Sequence, residues 1–122
     1  AVLSRWAAAP AAVPAAPAET DAEAIRRGHR LFADAAGGSG CIGCHKDYGR
    51  QEHYLFDVWG GAARPADLTR GEFRWGKRPE DVAARVRHGI PASGMPANPA
   101  LTDDQVRDLV AFVREAGTPA RL

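Results

Sequence analysis

The spacing of apolar residues along the chain predicts three helices, and the first of them follows Thr20. Thr20 and Glu23 have the spacing of a capping box, which marks a helix start, and the run of glycines after residue 36 marks its end. The apolar face of this helix comprises Ala24, Gly28, Leu31, Phe32 and Ala35. Glycine inside a helix costs about 1 kcal/mol relative to alanine. We therefore expect another helix to approach closely at Gly28.

The second and third predicted helices lie in the last third of the chain. Pro79 suits the first position of a helix, and the face that follows it carries Val82, Ala83 and Val86. Thr102 and Gln105 form a second capping box. The apolar stripe after it comprises Val106, Leu109, Val110 and Val113, with Phe112 on its flank. Gly117 and Pro119 end this helix.

Residues 46–76 are predicted to be irregular, because glycine and proline interrupt every period and no strand-like alternation appears. Aromatic residues are concentrated there: Tyr48, Tyr54, Phe56, Trp59, Phe73 and Trp75. So long a loop is unusual in a compact domain unless it surrounds something that is not protein. The expected fold class is all-α.

Composition and length favour one small domain with an arm. The chain has 122 residues and a formal net charge of +1. It contains no basic tract for nucleic acid and no apolar run of the ~18 residues that a membrane span needs. We expect an extended Ala/Pro-rich arm or linker at 1–19, a domain at 20–118 and a tail at 119–122.

The candidate chemistry lies in the sequence CIGCH, which contains both cysteines of the chain, Cys41 and Cys44, followed by His45. A disulfide would leave the histidine unexplained, and a zinc site would need a fourth ligand for which no second motif is present. A redox-sensing thiol pair has the same spacing. The pattern C-x-x-C-H is also that of covalent haem c attachment, which accounts for every position: two thioethers and an axial imidazole. We favour haem.

A haem iron held by His45 has a sixth position to fill. Met95 is the only methionine, and it lies in a Gly/Pro-rich loop rather than on a helical stripe, which argues against a role as core filler. The competing ligands are His88, His29 and His53, each of which we expect to be a surface residue. His88 is the first alternative if Met95 is not the ligand.

Four motifs in order resemble the class I cytochromes c over residues 21–117. The first helix contains G-H-R-L-F, CIGCH follows, a segment similar to P-x-L-T precedes GIPASGMP, and LTDDQVRDLVAFVREAG is similar to the family's last helix. The resemblance implies a fold of three main helices and loops wrapped around one covalent haem. In that fold the first and last helices cross at a glycine and aromatics, here Gly28, Phe32 and Phe112.

The resemblance also implies roles for individual residues. Cys41 and Cys44 would carry the thioethers, with His45 and Met95 as axial ligands of the iron. The carbonyl of Pro65 would accept a hydrogen bond from the proximal imidazole. Three further residues would either lie near the haem propionates or serve as ordinary packing and surface residues: Arg70, Trp75 and Tyr48.

A six-coordinate haem implies outer-sphere transfer of one electron, by a carrier or by a subunit or domain of a larger redox enzyme. Alternatives are a haem-based gas sensor with a labile methionine and, less well supported, a small peroxidase. We expect redox proteins to dock at the haem edge. Residues 1–19 are either a plain linker or an arm that contacts a larger enzyme or membrane complex, and the composition favours the linker. Because haem c is attached outside the cytoplasm, the expected location is periplasmic or on the outer face of the membrane.

Overall fold

The described residues of the computed structural model are 22–34, 39–52, 54–56, 59–71, 73 and 76–116. They contain three α-helices: α1 (Ala22–Ala33), α2 (Pro79–His88) and α3 (Asp103–Glu115). The predicted mostly helical fold of class I cytochromes c is therefore confirmed. The arm, the capping box at Thr20, the end of the last helix at Gly117 and the tail lie outside the described residues.

The crossing of α1 over α3 forms the centre of the core. Gly28 faces the backbone of α3: a Cβ added to it would lie 2.0 Å from the Asp108 carbonyl oxygen and 2.8 Å from the Phe112 Cβ. One turn along α1, the ring of Phe32 packs against that of Phe112, with centroids 5.3 Å apart, and both rings are buried. Only glycine allows the two helices this close approach, because any side chain would overlap the backbone of α3.

An ion pair spans the same crossing. The guanidinium of Arg27 donates through Nε and a terminal nitrogen to the two carboxylate oxygens of Asp108, at 2.8 and 3.1 Å. The Asp108 side chain is only 13 % exposed, whereas Arg27 keeps about half of its side chain in water. Bidentate arginine–carboxylate pairs fix orientation as well as adding energy. This pair therefore helps to set the rotation of α1 against α3.

The start of α3 has the caps that its sequence predicts. The Thr102 hydroxyl accepts from the Gln105 amide at 3.1 Å, and the Thr102 amide donates to the Gln105 side chain at 2.9 Å. The apolar stripe of α3 is buried along its whole length. Helix α2 packs on α3 through its buried residues Val82, Ala83 and Val86.

A short antiparallel strand pair, which no sequence pattern predicted, interrupts the segment expected to be irregular. Strand β1 (Leu55–Phe56) pairs with β2 (Ala62–Ala63), with Leu55 opposite Ala63. Strands of two residues are too short to show an alternating pattern, which explains why the prediction missed them. Within the described part of the chain, no helix is both long and apolar enough to cross a membrane.

Candidate functional site

The CIGCH segment forms a tight turn that is tied back to α1. The Ser39 amide and hydroxyl both donate to the Leu31 carbonyl at 2.9 Å. A 3₁₀ turn then spans Cys41–Gly43, and the His45 amide donates to the Cys41 carbonyl at 2.9 Å. This helical turn brings the two cysteines and the histidine together beside the end of α1.

The two cysteine thiols are partly buried and not joined in a disulfide. Cys41 Sγ lies 3.0 Å from the Ser39 hydroxyl. Burial raises the pKa of the Cys41 thiol, and the hydrogen bond with Ser39 opposes that rise. Because neither sulfur takes part in a disulfide, both could form a thioether from this one turn of backbone.

His45 is held through one ring nitrogen. Its Nδ1 lies 3.1 Å from the Ala66 carbonyl oxygen. Because a carbonyl oxygen only accepts, Nδ1 carries the proton and Nε2 keeps its lone pair. Burial lowers the pKa of the imidazole, which favours the neutral form that binds metals. A histidine whose second nitrogen donates to a backbone carbonyl is the usual arrangement of a metal ligand.

These donors fit haem c. Two unpaired thiols and an imidazole with its Nε2 lone pair available lie on one turn, which is the donor set that thioether attachment and axial ligation require. Among the described residues, no group of three or more His, Cys, Asp and Glu side chains is arranged to hold a metal ion.

The acceptor of the His45 hydrogen bond corrects one prediction. The resemblance implied the Pro65 carbonyl, whereas the structure brings the Ala66 carbonyl to Nδ1. In a P-x-L-T pattern one residue separates proline from leucine, but here two residues lie between Pro65 and the buried Leu68. Because the leucine anchors the segment in the core, the carbonyl two positions before it faces the imidazole, and that residue is Ala66.

Gly49 allows the Ala66 carbonyl to reach the imidazole, and the sequence analysis did not identify it. Its φ of +96° is readily adopted only by glycine, and an added Cβ would lie 2.1 Å from the Ala66 oxygen and 2.5 Å from the Asp67 Cα. The loop after His45 and the segment before Leu68 are therefore in direct backbone contact. A lone glycine in an irregular stretch carries no signal for such a contact.

Tyr48 lies in the aromatic cluster at the helix crossing. Its ring centroid is 5.7 Å from that of Phe32 and 5.9 Å from that of Phe112. Its hydroxyl lies 2.5 Å from His29 Nε2, and the His29 ring stacks on Phe112 at 4.7 Å. The expectation that His29 is a surface residue is therefore wrong. The Tyr48 backbone has a φ of +61°, which is uncommon for an aromatic residue, so these ring contacts hold a strained turn three residues after His45.

Met95 lies in the loop between α2 and α3. Its backbone pairs with Ile90 through two hydrogen bonds of 3.0 and 3.2 Å, which close a small loop over the 3₁₀ turn Pro91–Ser93. The neighbouring Gly94 abuts Leu55 of β1: an added Cβ would lie 3.5 Å from the leucine side chain. Met95 is partly buried and is not part of the helical core. Ligation by its sulfur stays a prediction.

The remaining candidates are not assembled into one cluster. Arg70 ends the 3₁₀ turn Leu68–Arg70 and is exposed, while Trp75 and His53 lie outside the described residues. His88 is the last residue of α2, and its Nε2 is buried with no hydrogen-bond partner in the described part of the chain. That buried nitrogen keeps His88 as the alternative to Met95.

A CIGCH turn with a metal-competent histidine, set beside a helix crossing at a glycine, defines a c-type cytochrome domain. The chain belongs to the family whose model is described as cytochrome c oxidase, cbb3-type, subunit III, which matches residues 23–113. Haem-based electron transfer is the activity of such domains.

Comparison of structures supports the same fold. A chain of the Kuenenia stuttgartiensis reducing HAO-like protein complex Kustc0457/Kustc0458 superposes with a TM-score of 0.70 at 23% sequence identity. The match covers 88% of the present chain and 50% of that chain, so the protein spans half the length of this relative. No curated protein matches the sequence.

Proposed function

We propose that the protein carries single electrons on one haem c, attached through Cys41 and Cys44, with His45 and Met95 as the axial ligands. When bound, the haem supplies an Fe(III)/Fe(II) couple. The observation that carries the proposal is the hydrogen bond from His45 Nδ1 to the Ala66 carbonyl. It keeps Nε2 unprotonated and directs the ring, as an axial ligand requires.

The chain's own residues would set the properties of this couple. The Ala66 carbonyl would increase the basicity of the imidazole by accepting a hydrogen bond from its Nδ1–H group. A thioether ligand and apolar surroundings both favour Fe(II) over Fe(III). Together they would raise the reduction potential. His45 and Met95 together would leave no position on the metal for a substrate, so the group would supply outer-sphere transfer of one electron.

Substitution of Met95 tests the ligand set. In Met95→Ala we expect a lower reduction potential and the appearance of carbon monoxide binding, because the thioether is removed and a position opens. The matched control is His88→Ala, which should leave both properties unchanged. If wild type and Met95→Ala bind carbon monoxide equally, Met95 is not the ligand. If His88→Ala changes the reduction potential instead, His88 is the ligand. Tight binding of carbon monoxide by wild type would favour the gas sensor.

The surface around the two loops suits docking of a redox protein without charge steering. The CIGCH turn, the Met95 loop and their flanks contain small or uncharged residues, of which Ala97 is exposed and the others are partly buried: Ser39, Ile42, Ala92, Ser93 and Ala97. The strand pair adjoins the Met95 loop through Leu55. Three exposed aromatic side chains lie in or next to this strand pair: Tyr54, Phe56 and Trp59. Exposed aromatics beside uncharged loops favour a short-range, largely apolar contact.

We further propose that the domain works within a larger redox assembly rather than as a free shuttle. The family description names an oxidase subunit, and the structural relative is part of a two-protein complex. Residues 1–19 would contact that assembly, and the location would be periplasmic or on the outer face of the membrane. Affinity capture from native membranes tests this: the protein with residues 1–19 should retain a redox enzyme that the shortened protein loses. Equal capture by both would contradict the role of the arm.

A further inference from the structure

The side chain of Arg87, on the last turn of α2, binds the chain that follows Met95. One terminal nitrogen lies 3.0 Å from the Asn98 carbonyl, 2.5 Å from the Leu101 carbonyl and 3.5 Å from the Pro99 carbonyl. The other donates to the Asp103 carboxylate at 2.9 Å. The Arg87 side chain is only 12 % exposed. One cation therefore binds three carbonyls within residues 98–101 of the α2–α3 connection and the side chain of the first residue of α3.

Backbone bonds from the same turn of α2 hold the loop at one further point. The Asn98 amide donates to the Arg87 carbonyl at 3.1 Å, and the Asn98 side chain donates to the Val86 carbonyl at 2.8 Å. Met95 is held directly by its backbone pair with Ile90, and it lies three residues before the anchor at Asn98. Residues 96–102 contain no helix or strand, so their position depends on these bonds.

We propose that Arg87 is the positioning residue for Met95. By holding the carbonyls after the methionine, its guanidinium keeps the loop closed on the end of α2. This inference rests on the proposed role of Met95 as axial ligand. It adds that the strength of the methionine–iron bond depends on a residue that does not touch the iron.

The physical reason lies in the geometry of the donors. A guanidinium has five N–H groups in a rigid plane, so it serves several carbonyls and a carboxylate at once, whereas an ammonium acts as a point charge. Three of the acceptors are carbonyls in one short segment. If they lose their donor, the loop opens more often, and ligation weakens in proportion to the closed fraction. Removal of several charge-assisted bonds shifts such an equilibrium by about tenfold or more.

The test compares haem-loaded wild type with Arg87→Gln and Arg87→Lys. The matched control is Arg107→Gln, which removes the same charge from an exposed i,i+3 pair with Asp104 on α3. The first measurement is hydrogen exchange at the Met95 and Asn98 amides, which reports loop opening whatever binds the iron. The second is the intensity of the ferric methionine–iron charge-transfer band, together with the reduction potential.

We expect exchange at both amides to be about tenfold faster or more in Arg87→Gln. The methionine–iron band should weaken and the potential should fall. Arg87→Lys should show a partial effect, because one point charge cannot serve every acceptor. Arg107→Gln should match wild type. If Arg87→Gln fails to fold, the partial effect in Arg87→Lys decides the question.

The outcomes separate this inference from the proposed function. A wild type without the methionine–iron band refutes ligation by Met95 and, with it, the positioning role. A wild type with the band, combined with unchanged exchange and an unchanged band in the Arg87 variants, refutes only the role of Arg87. Faster exchange with an undiminished band and potential also overturns it, because the loop would then move without affecting the ligand.

Discussion

Substitution of Gly28 by alanine tests the helix crossing on which the site is built. The added Cβ would lie 2.0 Å from the Asp108 carbonyl oxygen and 2.6 Å from its carbon, which are backbone atoms that no rotamer change can move away. Ordinary contact begins at about 3.4 Å, so α1 and α3 must separate by more than an ångström. The separation would loosen the contact between Phe32 and Phe112 and move the end of α1, to which Ser39 ties the CIGCH turn.

Two opposing terms set the magnitude for Gly28→Ala. Overpacking of this kind costs about 1–3 kcal/mol, and the backbone contact puts the cost near the upper end. Alanine returns about 1 kcal/mol through its better helix propensity. We therefore expect a net loss of about 1–2 kcal/mol in the free energy of unfolding. For a domain of this size, the loss lowers the melting temperature by roughly 5–15 °C.

Denaturant and thermal unfolding of the haem-loaded protein, followed by circular dichroism, would measure this loss. Arg30→Ala is the control, because Arg30 lies on the exposed side of α1 and its replacement should change stability by less than about 0.5 kcal/mol. If Gly28→Ala is as stable as wild type, or more stable, the close approach of α1 and α3 is not what holds the core together.

Three further predictions concern the caps, the ion pair and the partner. Thr102→Ala removes the N-cap of α3 and should cost about 1 kcal/mol, while Thr102→Ser should be nearly neutral; equal stability of all three proteins would contradict the cap. Asp108→Asn removes the charge that binds Arg27 and should cost about 1–2 kcal/mol in urea unfolding, against less than about 0.5 kcal/mol for the exposed Asp104→Asn. Electron transfer to the partner should fall only modestly with salt, because the two loops of the proposed docking surface carry small or uncharged residues; a steep fall in stopped-flow rates would contradict apolar docking.

Local rules accounted for the features that the sequence predicted well. The start of α3 depends on residues three positions apart, and Pro79 begins α2 at its expected place. The unexplained Gly28 indicated a close approach, although the sequence alone did not show that the nearest atoms belong to Asp108. For the helix starts, the residues that give the signal lie within a few positions of the structure they determine. For Gly28, the signal was one residue whose presence inside a helix had no other explanation.

The contacts that the sequence did not predict join segments far apart in the chain. The acceptor for His45 depends on how the segment before Leu68 is anchored, and a shift of one residue moves the bond from Pro65 to Ala66. The contact between His29 and Tyr48 depends on a strained turn held by aromatic packing. Neither has a periodic signature, because each follows from tertiary packing rather than local preference.

The central claim is that Cys41 and Cys44 bind a haem covalently with His45 as its axial ligand. Its most direct test is the mass of the denatured protein, after production in a host that matures c-type cytochromes, for wild type and for Cys41→Ala/Cys44→Ala. We expect the wild-type mass to exceed that of the polypeptide by one haem that resists acid–acetone extraction, and the double variant to have the mass of the polypeptide alone. A wild type with the bare polypeptide mass and two reactive thiols would contradict the claim.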